Sequence, residues 1–142
     1  MARATACCAS PLDNPDASRG RCICIEPRRV LGLAGEHLAE RELERKGLRI
    51  VARNVRTRFG EIDLVCRDRT GYAFVEVKTR RAGSFVAAAE AVDARKAARL
   101  AALAQAWLAH RGQRDTPWRI VIAALTVAAD GTRVELVDVD RC

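Results

Sequence analysis

Glu76-Val77-Lys78 sets a carboxylate and an ammonium two residues apart, a spacing that puts both on one face of an extended chain. Glu61 and Asp63 repeat the spacing one strand earlier, with Ile62, Leu64 and Cys66 expected on the other face. A turn at Asp68-Arg69-Thr70-Gly71, centred between Arg69 and Thr70, makes paired positions sum to 139. Asp63 is then expected opposite Glu76, and Glu61 opposite Lys78. Like charges facing each other across a strand pair repel, so the arrangement calls for solvent or for a cation between the carboxylates. Hard oxygen ligands suit Mg2+ or Mn2+, which would keep waters for a phosphate and a nucleophile. Lys78 could then orient the attacking water or neutralise charge developing on phosphorus. The ordinary alternative is a polar outer sheet face carrying a Glu61–Lys78 ion pair.

These residues must be positioned by regular elements. Val30 to Lys46 is rich in Ala, Leu, Glu and Arg and stops at Gly47, which predicts a helix. On it Glu36 shares a face with Leu33, Ala39 and Leu43 and so leans toward the core. A solvated edge position, or a pair with Arg53 or Arg56, would also account for it. Strands are expected over Leu48–Asn54, Gly60–Cys66 and Tyr72–Thr79, the last alternating Ala73, Val75 and Val77 against Phe74, Glu76 and Lys78. A second helix is expected from about Ala87 to His110, with Val92, Leu100, Leu103, Ala104, Trp107 and Leu108 as its apolar stripe and Arg95, Lys96 and Arg99 off it. Strands over Arg119–Val127 and Arg133–Val139, turning at Asp130-Gly131, complete the order. The class is α/β.

At 142 residues the chain fits one domain, and with aromatics at only 4% its core is expected to rest on Ala, Leu, Val and Ile. Residues 1–27 hold three prolines and no apolar period, and are expected to form a disordered or loosely attached extension to a domain over 28–142. Three arginines there balance three acidic residues, so the whole net charge of +7 falls in residues 28–142. A basic field of that kind attracts nucleic acid.

Cys7, Cys8, Cys22 and Cys24 crowd the extension without a CxxC pair, a poor pattern for zinc, while Cys66 reads as a buried thiol and Cys142 ends the chain. With no signal-peptide pattern and no run near the roughly 18 apolar residues of a membrane span, a cytoplasmic protein is expected, away from membranes. Arg53, Arg56 and Arg58 precede the acidic strand, Arg80 and Arg81 follow Lys78, and Lys96 lies on the second helix with Arg95 and Arg99. They are expected to rim the carboxylates and draw phosphates. Few aromatics are available for base stacking, which favours backbone or shape reading.

The runs Gly35-Glu36-His37-Leu38-Ala39, Arg53-Asn54-Val55-Arg56, Gly60-Glu61-Ile62-Asp63-Leu64-Val65 and Phe74-Val75-Glu76-Val77-Lys78-Thr79-Arg80, continuing through Ala89-Glu90-Ala91-Val92 and Arg95-Lys96, resemble the YraN family, uncharacterised protein family 0102. That family resembles archaeal Holliday-junction resolvases of the PD-(D/E)xK superfamily. The resemblance covers residues 30–125. It implies a restriction-endonuclease-like fold with an αβββαβ core and a mixed sheet flanked by helices, and a nuclease site at Glu36, Asp63, Glu76 and Lys78. The metal ligands would be Asp63, Glu76 and the carbonyl of Val77. The chain departs from the family pattern at Phe85-Val86, where glycine usually follows, and at Trp118-Arg119-Ile120-Val121, in place of Arg-Phe-Asp-Val.

The expected function is therefore a Mg2+- or Mn2+-dependent endonuclease acting on DNA, in particular branched or structured DNA. A homodimer would suit a symmetric branch. A nucleic-acid-binding module without cleavage and a basic adaptor for a protein partner are the alternatives.

Overall fold

The computed structural model describes residues 27–83 and 94–141. Along them run α1 (Pro27–Arg45), β1 (Arg49–Thr57), β2 (Gly60–Asp68), β3 (Gly71–Arg81), α2 (Ala94–His110), β4 (Trp118–Ala128) and β5 (Gly131–Arg141). The expected order of helix, three strands, helix and two strands is borne out, with every strand longer than its apolar run. The expectations for residues 1–26, Cys142 and the stretch 84–93, with Val92 and Phe85-Val86, lie outside the described residues.

α1 begins at Pro27, whose fixed φ suits a first helical position. It stops at Gly47 (φ +85°): the amide of Gly47 donates to the Glu44 carbonyl (2.9 Å) and that of Leu48 to the Leu43 carbonyl (3.0 Å). These two bonds satisfy carbonyls that the helix end would leave open.

The five strands form one mixed sheet in the order β1-β2-β3-β4-β5. Neighbours are antiparallel except β3 and β4, which run parallel from Tyr72↔Trp118 to Arg81↔Val127 because α2 carries the chain back between them. Burial on both faces makes these central strands almost continuously apolar. α1 covers one face, where Ala39 and Leu43 pack on Leu64, Cys66, Ala73, Val75, Val121, Ala123 and Leu125. α2 covers the other with Leu100, Leu103, Ala104, Trp107 and Leu108.

The two faces differ in kind. The α1 face is aliphatic, as the composition suggested. The α2 face gathers Tyr72, Phe74, Trp107 and Trp118, four of the six aromatic residues in the chain. Cys66 is buried as expected, and desolvation pushes its thiol pKa up to about 12. Among the described residues no helix is long and apolar enough to cross a membrane.

Arg119 is a tie between strands. Its guanidinium donates to Asp68 (2.6 Å) and to the Thr70 hydroxyl (2.9 Å), and it lies 3.3 Å from Asp138. The hydrogen bond from Arg119 holds the Asp68 carboxyl well below the usual range, with help from Thr70. A group with a depressed folded pKa stabilises fully above its unfolded pKa and loses that contribution as pH falls. Arg119→Met is accordingly expected to cost about 1–3 kcal/mol in urea unfolding at pH 7. The deficit should shrink between roughly pH 4 and pH 2, and a deficit independent of pH would contradict this account.

Candidate active site

In β3 the period of two sends Tyr72, Phe74, Glu76 and Lys78 toward α2, and Ala73, Val75 and Val77 toward α1. Glu76 and Lys78 thus stand at the carboxyl end of the parallel strand, where the chain leaves for α2. In open α/β sheets ligand crevices form at such ends.

Glu76 is the one buried charged side chain among the described residues. Its Oε1 accepts from both the Lys78 Nζ and the Lys96 Nζ, each at 2.8 Å. Burial works to raise the Glu76 carboxyl, but the two ammonium groups outweigh it and hold the pKa below the usual range. Burial also opposes charge on Lys78, yet the bond to Glu76 leaves that pKa raised. At Lys96 burial prevails over Glu76, and its pKa is lowered.

Asp63 reaches the site by a break in strand regularity. The pairs Arg53↔Leu64 and Val55↔Ile62 are two steps apart in β1–β2, so in a regular ribbon both would face one way. Here Leu64 packs in the α1 cluster, and Arg53 forms a double hydrogen bond with Glu40 of α1 (2.7 and 3.1 Å). Ile62 and Val55 instead lie in the α2 cluster. The ribbon turns over between these pairs, at Asn54 and Asp63, and Asn54 has a left-handed φ of +49°. Asparagine tolerates that conformation better than most residues. Ile62 consequently does not share a face with Leu64 and Cys66, contrary to the simple alternation.

The β2–β3 pairs sum to 139 from Asp68↔Gly71 to Leu64↔Val75, as the turn dictates, and the ladder ends there. Asp63 does not pair with Glu76. Its Oδ2 instead accepts the Val77 N–H at 2.7 Å, satisfying a strand amide that has lost its ladder partner. Burial raises the Asp63 carboxyl pKa and the charge of Glu76 adds to the rise, against the lowering by the Val77 amide and the lysines. Glu61, expected opposite Lys78, pairs instead with Arg56 across β1–β2 at 2.9 Å.

Glu36 approaches from α1. Its helix crosses the end of β3 at Gly35, where a Cβ would stand 2.6 Å from the Thr79 hydroxyl, so a larger residue there would force the Thr79 side chain to move. Glu36 is half-buried, and its pKa is raised by desolvation and by the charges of Asp63 and Glu40. It pairs with neither Arg53 nor Arg56, which bond Glu40 and Glu61.

The structure thus brings Asp63, Glu76, Lys78 and Lys96 together at one strand end, with Glu36 within electrostatic reach. Lys96, expected on a phosphate-binding rim, sits on Glu76 instead. Its spacing of four from Leu100 and seven from Leu103 puts it on the apolar stripe rather than off it, a signal its charge obscured. Of the arginines, Arg53 is engaged with α1, Arg56 and Arg58 flank the β1–β2 turn, and Arg80 and Arg81 close β3.

Among the described residues no three Asp, Glu, His or Cys side chains form a ready cluster for a metal ion. Two carboxylates and a backbone carbonyl are nonetheless a donor set that suits Mg2+, which retains several waters. The charge of Glu76 raises the Asp63 pKa, a repulsion that a cation held by both would relieve.

A family profile described as "Uncharacterised protein family UPF0102" matches residues 35–139. The chain is 50% identical over 95 residues to a UPF0102 protein of Nocardia farcinica, covering 67% of this chain and 72% of that protein. It is 46% identical over 103 residues to one of Symbiobacterium thermophilum (72% and 87%), and 41% identical over 108 residues to one of Geobacter sulfurreducens (75% and 84%).

Proposed function

Since the chain belongs to uncharacterised protein family UPF0102, the family of YraN, we propose that it is a divalent-metal-dependent endonuclease acting on DNA, with a restriction-endonuclease-like fold. The observation that carries this reading is the meeting of Asp63 with the Val77 backbone (2.7 Å) and of Glu76 with Lys78 (2.8 Å) at the carboxyl end of β3. The +7 net charge supports a polyanionic substrate.

In this reading Asp63, Glu76 and the Val77 carbonyl hold Mg2+ or Mn2+. The ion supplies charge neutralisation at the phosphate and a more acidic bound water. Lys78, at the solvent side of Glu76, orients the attacking water or donates to a phosphate oxygen as negative charge grows there. Lys96, more enclosed, keeps Glu76 anionic and fixes its rotamer. Glu36 supports the acidic end from α1. Arg56, Arg58, Arg80 and Arg81 meet the phosphate backbone. Two chains acting as a pair would present two such sites to a symmetric branch.

A second reading rests on the same lysines. Two ammoniums already compensate Glu76, as in a nucleic-acid-binding module that keeps the fold without cleavage. A cleavage assay on branched, single-stranded and duplex DNA with Mg2+ or Mn2+ separates the two, comparing wild type with Asp63→Ala and Lys78→Ala. The nuclease reading expects metal-dependent products from the wild type and losses of about a hundredfold or more in both variants. Cleavage that survives both substitutions would refute the assignment, and binding without cleavage by the wild type would favour the second reading.

A further inference from the structure

The β1–β2 hairpin ends in a turn whose outermost residues are Arg58 and Phe59. Phe59 is 55% exposed and is the one exposed large apolar side chain among the described residues. A single exposed apolar residue is common and by itself says little. This one is held out by a built support. The Thr57 hydroxyl accepts the Phe59 N–H at 3.1 Å and lies 3.2 Å from the Gly60 carbonyl, to which it donates, locking the turn. Below the turn, Ile62 and Val55 pack under α2, and Gly60 lies against Leu103. The ring therefore projects from a hydrogen-bonded turn seated on the core.

Charge surrounds it. The Arg58 guanidinium lies over the ring, 4.6 Å from its centroid, and the largely exposed Arg56, paired with Glu61 at 2.9 Å, stands beside the turn. An aromatic ring with a guanidinium over one face is the chemistry that takes an unpaired base on its other face, with the positive charge beside the flanking phosphates. A paired base within a duplex offers no such face. Asp63 follows Phe59 by four residues, through the turn and the start of β2, so at most about 14 Å separates their Cα atoms. That is no more than about four base steps at 3.4 Å each.

We propose that the Arg58–Phe59 tip is a stacking wedge that takes an unpaired base at the junction of single- and double-stranded nucleic acid, a short fixed distance from the candidate active site. The inference rests on the nucleic-acid reading of that site and deepens it, naming the substrate class as DNA with an unpaired base beside a duplex.

The test uses the full chain with a splayed DNA carrying 2-aminopurine at the first unpaired position, and a blunt duplex of equal length, both without divalent metal. Wild type and Phe59→Trp are expected to quench the 2-aminopurine fluorescence and to prefer the splayed DNA. Phe59→Ala should lose the quenching and bind splayed DNA about five- to a hundredfold more weakly, with duplex affinity unchanged. Circular dichroism should show Phe59→Ala folded, since the ring is exposed. Quenching and preference that persist in Phe59→Ala would overturn the wedge, as would equal losses on both DNAs or no binding by the wild type. Cleavage with Mg2+ or Mn2+ distinguishes the two proposals. A wild type that cleaves while Phe59→Ala changes nothing sinks only the wedge; Phe59-dependent stacking without cleavage sinks only the nuclease.

Discussion

Glu76→Gln is expected to reduce metal-dependent DNA cleavage by about a hundred- to a thousandfold under single-turnover conditions, with the chain still folded. The change keeps the size of the side chain and an oxygen for Lys78 and Lys96, and removes only the negative charge. Two ammonium groups that now share one anionic oxygen would then face each other without it. A ligand that binds only the native state raises its melting temperature, so added Mn2+ should stabilise the wild type and leave the variant unmoved. The pH dependence has a fixed sign. Glu76 has a depressed folded pKa, so its stabilising contribution is present above the ordinary glutamate range and is lost as pH falls through the folded value. The melting-temperature gap between wild type and variant should accordingly close in acid. Full cleavage by Glu76→Gln, or equal metal stabilisation of both proteins, would remove Glu76 from the site.

Phe74→Ala is expected to have the largest effect on stability, a loss of about 3–5 kcal/mol by urea unfolding. The ring is fully buried and meets Trp107 edge-on at 5.7 Å and Trp118 at 6.1 Å. Removing it opens a void among large rings that cannot close in on one another without moving α2. Phe74 is also two residues before Glu76 on the same face, under the helix that carries Lys96. The variant should therefore lose cleavage even in conditions where it stays folded. A loss under about 1 kcal/mol would mean that the packing of α2 on the sheet rests on other residues.

Much of this arrangement was legible from residue spacing. The period of two in β3 places Glu76 and Lys78 together, and the Asp68–Gly71 turn fixes the β2–β3 register as far as Leu64↔Val75. What escaped is local. A single left-handed residue, Asn54, turns the ribbon over, and no periodicity contains that information. Asp63 therefore meets the Val77 amide instead of standing opposite Glu76. Sequence proximity also misled for Arg53, because turning toward α1 commits it to Glu40. Lys96 was assigned by its charge when its place in the stripe decided its direction. The expectation of a core resting on Ala, Leu, Val and Ile failed for the α2 face, because few aromatics suffice when four of the six are brought to one place.

The parallel pairing of β3 with β4 also bears on the order in which the chain organises itself. β1, β2 and β3 join through two tight turns, so Asp63 and Glu76 can meet through contacts close in sequence, on the fast timescale of hairpins. The β3–β4 ladder links Tyr72 to Trp118 and must close a long loop before any of its bonds forms. Lys96 lies inside that loop. The hairpin strands that carry Asp63 and Glu76 are thus expected to order before Lys96 docks on Glu76, and refolding monitored at Trp107 and Trp118 should follow that later step.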